Sequence, residues 1–160
     1  MRRARTSLAE CIDVLNEALA LLYQPGLAEN QSFRLDHRPV AMPNYMLDKP
    51  GTAPLVFVLN EDGIAVEFDG SDMFGIGAKE LQRDRDDVVR TLVRLLTSSL
   101  KLDLLDRRKG YKLSLVDPDG ERWGRVHYYM GVRDEFDPVH FDAPFPPVSD
   151  SDREPRDTAQ

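Results

Sequence analysis

The sequence predicts an α+β fold, in which two amphipathic helices pack on one face of an antiparallel sheet of four to five strands. Apolar residues recur at helical spacing in two long segments, and they alternate with polar residues in several short segments. Turn residues separate the short segments by only a few positions, which is typical of antiparallel hairpins. The predicted order is helix, short strand, hairpin, helix, hairpin and acidic tail. Two helices cover only one face of such a sheet, so the other face must meet water or a partner.

The first helix is predicted to begin at Ser7, because Ser7 and Glu10 have the spacing of a capping box. Pro25 and Gly26 end the helical pattern. Between them, the apolar positions repeat every three or four residues at Leu8, Ile12, Leu15, Leu19 and Leu22. Cys11 flanks this apolar stripe and is interpreted as a small buried side chain. Because the chain has a single cysteine, it forms no internal disulfide, which is typical of a reducing compartment.

The next part of the chain predicts a hairpin that follows a proline-rich loop. Residues 32–38 alternate and permit a short edge strand, whereas residues 39–54 carry four prolines and are predicted to form a long surface loop. Leu55–Asn60 is apolar on both faces, as a central strand is. Glu61-Asp62-Gly63 has turn chemistry and leads into the alternating residues 64–69, so the two strands are predicted to pair.

The second half of the chain predicts one more helix and one more hairpin. A broad apolar arc between residues 88 and 100 indicates the helix. The apolar period changes to two at residues 100–105, which leaves open whether they are helix or strand. Residues 111–117 and 122–130 follow as strands, and Asp117-Pro118-Asp119-Gly120 joins them as a β-turn.

Residues 1–132 are predicted to form a single α+β domain, and residues 133–160 a mobile, partly disordered tail rich in proline and acid. The net charge of the chain is −7, and the tail carries eight acidic side chains against three arginines. Neither part supplies the basic surface that nucleic-acid binding requires, and no segment has the apolar length of a membrane span. We therefore expect a cytoplasmic protein with no nucleic-acid or membrane partner. The excess of arginine over lysine is typical of a GC-rich bacterial genome.

The candidate binding surface comes from the last predicted strand and from the end of the first hairpin. Because successive side chains of a strand point to opposite faces, strict alternation predicts Val126, Tyr128 and Met130 in the core. The intervening residues then lie on the open face, and aromatic and arginine side chains are enriched at the centres of protein interfaces. The acidic tail favours a basic partner through long-range attraction. The residues predicted to bind a partner protein are Trp123, Arg125, His127, Tyr129, Glu67 and Asp69.

Three alternatives for this face stay open. The tail residues Phe136, Phe141 and Phe145 could dock onto it, since such an extended segment binds its own domain through the same contacts as a partner. A second copy of the chain could cover the face as a homodimer. The face could also form a pocket with the 39–54 loop, in which His127 and Glu67 are the polar groups of a small-ligand-binding protein or a small enzyme.

No sequence pattern predicts a catalytic residue, a cofactor or a metal. The three histidines lack the spacing of a metal site, and the glycine-containing loop at residues 70–79 does not match the phosphate-binding motifs. We therefore predict a non-enzymatic protein–protein interaction module of the chaperone, adaptor, or immunity and inhibitor type. The order of its elements is similar to that of the small acidic chaperones of type III secretion. Small acidic immunity proteins that neutralise toxins are a second class of small acidic proteins that bind a partner protein.

Overall fold

The computed structural model describes residues 3–36, 44–68, 71–106, 110–128 and 139–149 of the chain. Within these ranges the chain forms three helices and nine strands. In order, they are α1 Leu8–Leu21, β1 Phe33–Asp36, β2 Asn44–Leu47, β3 Leu55–Asn60, β4 Gly63–Phe68, β5 Ser71–Gly77, α2 Ala78–Arg83, α3 Arg85–Leu96, β6 Ser99–Asp106, β7 Gly110–Val116, β8 Arg122–Tyr128 and β9 Val139–Phe141.

The strands described form two antiparallel sheets. The first, which we call the meander sheet, has the order β1-β2-β3-β4-β5, and the second, the C-terminal sheet, has the order β8-β7-β6-β9. The α+β class with antiparallel pairing is therefore confirmed, whereas the single sheet of four to five strands is corrected to two sheets. The strands divide at Gly77, where the chain leaves the meander sheet because β5 runs directly into α2. Helices α2 and α3 separate the earlier strands from the later ones, which pair among themselves.

Two segments predicted as loops are strands of the meander sheet. Asn44–Leu47, which was assigned to the 39–54 loop, forms β2 between β1 and β3. The four prolines of that segment all lie outside Asn44–Leu47, so none of them removes an amide from the hydrogen-bonded ladder. Ser71–Gly77, predicted as part of the glycine-containing loop, forms the edge strand β5. Residues 100–105, for which helix and strand were both open, lie in β6.

Local sequence signals placed helix α1 and the first hairpin correctly. Ser7 is the N-cap of α1, and its hydroxyl oxygen accepts a hydrogen bond from the amide of Glu10 at 3.1 Å. Strands β3 and β4 form the predicted hairpin, and their turn requires glycine. Gly63 has a φ of +133°, and a Cβ atom there would lie 1.9 Å from the carbonyl oxygen of Ile76. Cys11 is fully buried as interpreted, and this burial raises the pKa of its thiol.

One hydrophobic core joins the helices and both sheets. Helices α1 and α3 pack against each other, and their buried residues belong to the same cluster as those of the strands. The two sheets meet through aromatic pairs: Phe68 contacts Phe141 edge to face, with ring centroids 5.7 Å apart. The C-terminal sheet and the helices therefore lie on the same side of the meander sheet.

Part of the predicted tail belongs to the folded domain. Strand β9 pairs antiparallel with β6. Phe145 is buried, and its amide donates a hydrogen bond to the carbonyl oxygen of Leu96 at 3.0 Å. The aromatic side chains supply the apolar area that makes this packing favourable. The predicted boundary at residue 132 therefore does not mark the end of the fold, since residues 139–149 are part of it. The remaining tail residues, 133–138 and 150–160, lie outside the described residues.

Candidate functional site

Trp123, the centre of the predicted binding face, lies on the core side of β8. Its ring contacts that of Phe74, with centroids 5.8 Å apart, and the Arg94 guanidinium of α3 lies over it at 4.6 Å. The indole Nε1 donates a hydrogen bond to Ser98 Oγ at 2.9 Å. The side chain is partly buried and packs against the hydrophobic core. The prediction that Trp123 stands on an open sheet face is therefore wrong.

A β-bulge at Gly124 explains why strict alternation failed. Leu115 pairs with Trp123 and Leu113 pairs with Val126, so a single residue of β7 lies opposite two residues of β8. Gly124 has a φ of +59°, and a Cβ atom there would lie 3.0 Å from Leu115 Cδ1. Because directly paired residues point to the same face, Trp123 joins Leu115 in the core. The glycine inside the strand was the available signal, since an interior glycine often marks a bulge.

The other residues predicted to bind a partner lie in different places. Glu67 is in β4 of the meander sheet, where it pairs with Val56 and Asp72, so it belongs to a different sheet from Trp123. Part of the 39–54 segment is strand β2, and the pocket expected beside it stays a prediction, because the side chain of His127 is not described. Asp69 and Tyr129 lie outside the described residues, and for Arg125 and His127 the structure describes only the backbone, which belongs to β8.

Two of the three tail aromatics pack between the sheets. Phe141 contacts Phe68, as described above, and is half-buried. Phe145 stacks on Phe33 with ring centroids 6.2 Å apart and an interplanar angle of 26°. Phe136 lies outside the described residues. The two described aromatics thus dock in the core, and not on an open sheet face.

A cleft of about 930 Å³ lies elsewhere, where four parts of the fold meet. Its walls are the C-terminal end of α1, one side of α3, the turn between β7 and β8, and the segment after β9. We call this the α1–α3 cleft. The residues that line it include Leu21, Tyr23, Arg90, Val93, Pro118, Asp119 and Val148. They are far apart in sequence, so no motif predicts the cleft. A local signal existed at the end of α1, where consecutive apolar residues exceed what one helix face can bury.

Tyr23 stands on the rim of the cleft in a strained backbone conformation. It ends α1 in a Schellman motif, in which the amide of Gln24 donates to Leu19 O at 2.9 Å and that of Tyr23 to Ala20 O at 3.0 Å. Its φ is +56°. Glycine usually occupies this left-handed region, which costs any other residue about 1 kcal/mol. Tyr23 and Leu21 are 66% and 55% exposed, more than any other large hydrophobic residue whose side chain the structure describes. The end of α1 therefore contributes exposed apolar surface to the rim of the cleft.

An ion pair between α3 and the β7–β8 turn holds one wall of the cleft in place. Arg94 donates hydrogen bonds to Asp117 Oδ2 from Nε at 3.1 Å and from Nη2 at 2.8 Å. Asp117 Oδ1 accepts from the amides of Asp119 and Glu121 at 3.0 and 2.9 Å. Desolvation by burial alone would raise the pKa of Asp117, but the hydrogen bonds from Arg94 and the turn amides outweigh it and lower the pKa. Helix α3 therefore positions the turn that lines the cleft.

The cleft carries few net charges, and the chain that leaves it is acidic. Arg90 on the α3 wall lies 3.6 Å from Asp87, and Asp119 is exposed on the turn wall, so the cleft lining carries one cation and one anion. The chain leaves the cleft at Ser149 and continues as Asp150-Ser151-Asp152. This arrangement can hold an apolar group and attract positive charge.

The chain matches no protein-family model, no curated protein and no solved structure. None of the helices in the described ranges combines the length and the apolarity needed to cross a membrane. In those same ranges, no group of three or more His, Cys, Asp or Glu side chains is placed to hold a metal ion. The function of the cleft therefore rests on the chemistry of its own residues.

Proposed function

We propose that this protein is a non-enzymatic protein–protein interaction module that binds a short basic and apolar segment of a partner protein in the α1–α3 cleft. The observation that carries the proposal is the apolar rim of the cleft, where Leu21 is 55% and Tyr23 is 66% exposed. A partner segment that lies in the cleft would cover the exposed apolar surface of this rim.

Apolar contact supplies the affinity in this proposal. Leu21 is 55% exposed, so covering it with a partner removes roughly 70 Å² of apolar surface from water and contributes about 1–2 kcal/mol. Tyr23 offers a larger area and a ring of the type that dominates interface energies. The half-buried Val93 and Val148 extend the apolar surface into the cleft.

Charge selects the partner segment. The chain has a net charge of −7, Asp119 lies on one wall, and the sequence directly after the cleft contains Asp150 and Asp152. A basic segment is attracted to this region before contact, which raises the association rate more than the final affinity. Arg90 also lines the cleft, but Asp119 on the turn wall offsets its charge, and the chain as a whole stays acidic.

A small molecule is the second candidate occupant. The volume of about 930 Å³ is within the range of small-ligand pockets, although near its upper end. The exposed rim favours a peptide, because a pocket that encloses a small ligand does not leave its main apolar side chains more than half exposed.

The test is selection of peptides from a displayed random library on the immobilised full chain, followed by calorimetric titration of the selected sequences. We expect peptides that combine Lys or Arg with large apolar residues. Leu21→Ser should weaken them about tenfold, because about 1–2 kcal/mol of apolar burial is lost. Leu8→Ser is the matched control: Leu8 is 38% exposed at the other end of the same helix, about 20 Å away, and the change should leave binding unaltered.

Two outcomes contradict the proposal: a library that yields no peptide, or an equal loss of affinity in the Leu8 and Leu21 variants. A compound from a small-molecule screen that raises the melting temperature of the wild type, but not of Leu21→Ser, would support the second candidate instead.

A further inference from the structure

The meander sheet has an outer face, turned away from the helices and the core, that the α1–α3 cleft does not use. Directly paired residues of neighbouring strands point to the same face of a sheet. The strand registers therefore align one residue from each of the five strands in a continuous row across this face: Arg34, Met46, Val56, Glu67 and Asp72. The next row on the same face contains Asn44, Val58, Ala65 and Gly75.

The centre of the outer face is apolar. Met46, Val56, Val58 and Ala65 are half-buried, and none of them belongs to the hydrophobic core or packs against it. Outward positions of an antiparallel sheet that meets water are normally polar. Two outward valines on the central strand β3 therefore indicate a face that another layer covers.

The two ends of the first row carry opposite charges. Arg34 lies on the edge strand β1, whereas Glu67 and Asp72 lie directly opposite each other on β4 and β5. Like charges in such a pair are destabilising, and neither carboxylate forms an ion pair with a described residue. Arg34 pairs with Asp48 at 3.4 Å, but the two side chains are 65% and 64% exposed, so this contact contributes little.

We propose that the outer face is the interface of a homodimer with a two-fold axis that runs parallel to the strands, between two stacked sheets. Such an axis places β3 over β3, and β1 of one copy over β5 of the other. Arg34 of one protomer then meets Glu67 and Asp72 of the partner subunit, and the same contact recurs at the opposite end. Val56 and Val58 meet their own copies at the axis. The second copy thus covers the apolar centre and supplies a cation to the acidic pair, which has no ion-pair partner among the described residues.

The size of the face predicts a weak dimer. Five strands about 4.8 Å apart, four to seven residues long at about 3.3 Å per residue, give a footprint of about 400 Å² per copy. The total of about 800 Å² is below the range of about 1,200–2,000 Å² that stable specific interfaces bury, and contacts of this size are weak and reversible. We therefore expect a dissociation constant in the micromolar range.

The test is sedimentation velocity of the full chain between about 1 and 500 µM, in which the wild type should shift from monomer to dimer. Arg34→Glu should weaken the dimer by roughly tenfold or more, because two attractive contacts become repulsive. Asp72→Arg should weaken the dimer in the wild-type background and strengthen it in the Arg34→Glu background. Arg85→Glu is the matched control, since Arg85 is 48% exposed at the start of α3 and lines neither the outer face nor the α1–α3 cleft, and it should leave self-association unchanged. These side chains are on the surface, so circular dichroism should show folded variants.

Val58→Lys is an independent variant, because two lysines would meet at the axis, and it should abolish the dimer. A wild-type chain that stays monomeric at about 500 µM overturns the proposal. An effect of Asp72→Arg with the same sign in both backgrounds overturns it as well, because that result excludes contact between Arg34 and the acidic pair across the axis.

Discussion

Replacement of Trp123 by alanine is expected to destabilise the fold by about 4 kcal/mol, and the structure gives the reasons. The partly buried indole removes roughly 120 Å² of apolar surface from water, which contributes about 3 kcal/mol. Its edge-to-face contact with Phe74 and its hydrogen bond to Ser98 each contribute about 0.5–1 kcal/mol more. Ser98 Oγ also donates to the carbonyl oxygen of Arg94, so the hydroxyl keeps a partner in the variant.

Urea unfolding followed by far-ultraviolet circular dichroism measures this loss. With an m-value of about 2 kcal/mol per molar urea, the midpoint should fall by about 2 M. Trp123→Phe is the matched control, because it keeps most of the ring contacts and removes the indole hydrogen bond, so it should cost about 1–2 kcal/mol. If Trp123→Ala shifts the midpoint by less than about 0.3 M, the indole is not packed against α3 and the reasoning from the bulge at Gly124 fails.

Two further predictions concern Tyr23 and Asp117. Tyr23→Gly and Tyr23→Ala both remove the ring, so both should lose the same amount of peptide affinity. The glycine variant should have a free energy of unfolding about 1 kcal/mol higher than the alanine variant, because only alanine retains the strain of the positive φ. Equal melting temperatures of the two variants would contradict this. The pKa of Asp117 is lower in the folded state than the ordinary value of 3.8, so its contribution to stability is present above that value and is lost as the pH falls through the folded-state pKa. Urea midpoints between pH 6 and pH 2 should therefore fall less steeply at the acid end for Asp117→Asn than for the wild type, and parallel curves would argue against the ion pair with Arg94.

The elements that the sequence predicted correctly depend on neighbours along the chain. The Ser7 cap, the β3–β4 hairpin and the amphipathic pattern of α3 each involve residues a few positions apart. Strand β2 was missed because prolines on both sides made the segment resemble a loop, although none lies within the strand. Strand β5 was missed for a similar reason, since its glycines are typical of a connector.

The candidate site could not be predicted from the sequence for a different reason. The predicted face rested on counting alternate residues along β8, and one extra residue at Gly124 reversed the result for Trp123. The cleft involves residues from Ala20 to Ser149, on four parts of the chain that meet only after folding. Exposure of Leu21 and Tyr23 is likewise a property of the packed domain, since their sequence context is that of an ordinary apolar helix end.

The amino-acid sequence by itself determined the α+β class, the start of α1, the positions of the two long helices and the turns that form hairpins. These follow from side-chain periodicity and turn chemistry, which act over a few residues. Only the tertiary structure decided that the strands divide into two sheets, that Trp123 packs under α3, and that residues 139–149 complete the core. Those outcomes depend on strand pairing and burial between distant segments, and the free energy of these contacts cannot be inferred from any local sequence pattern.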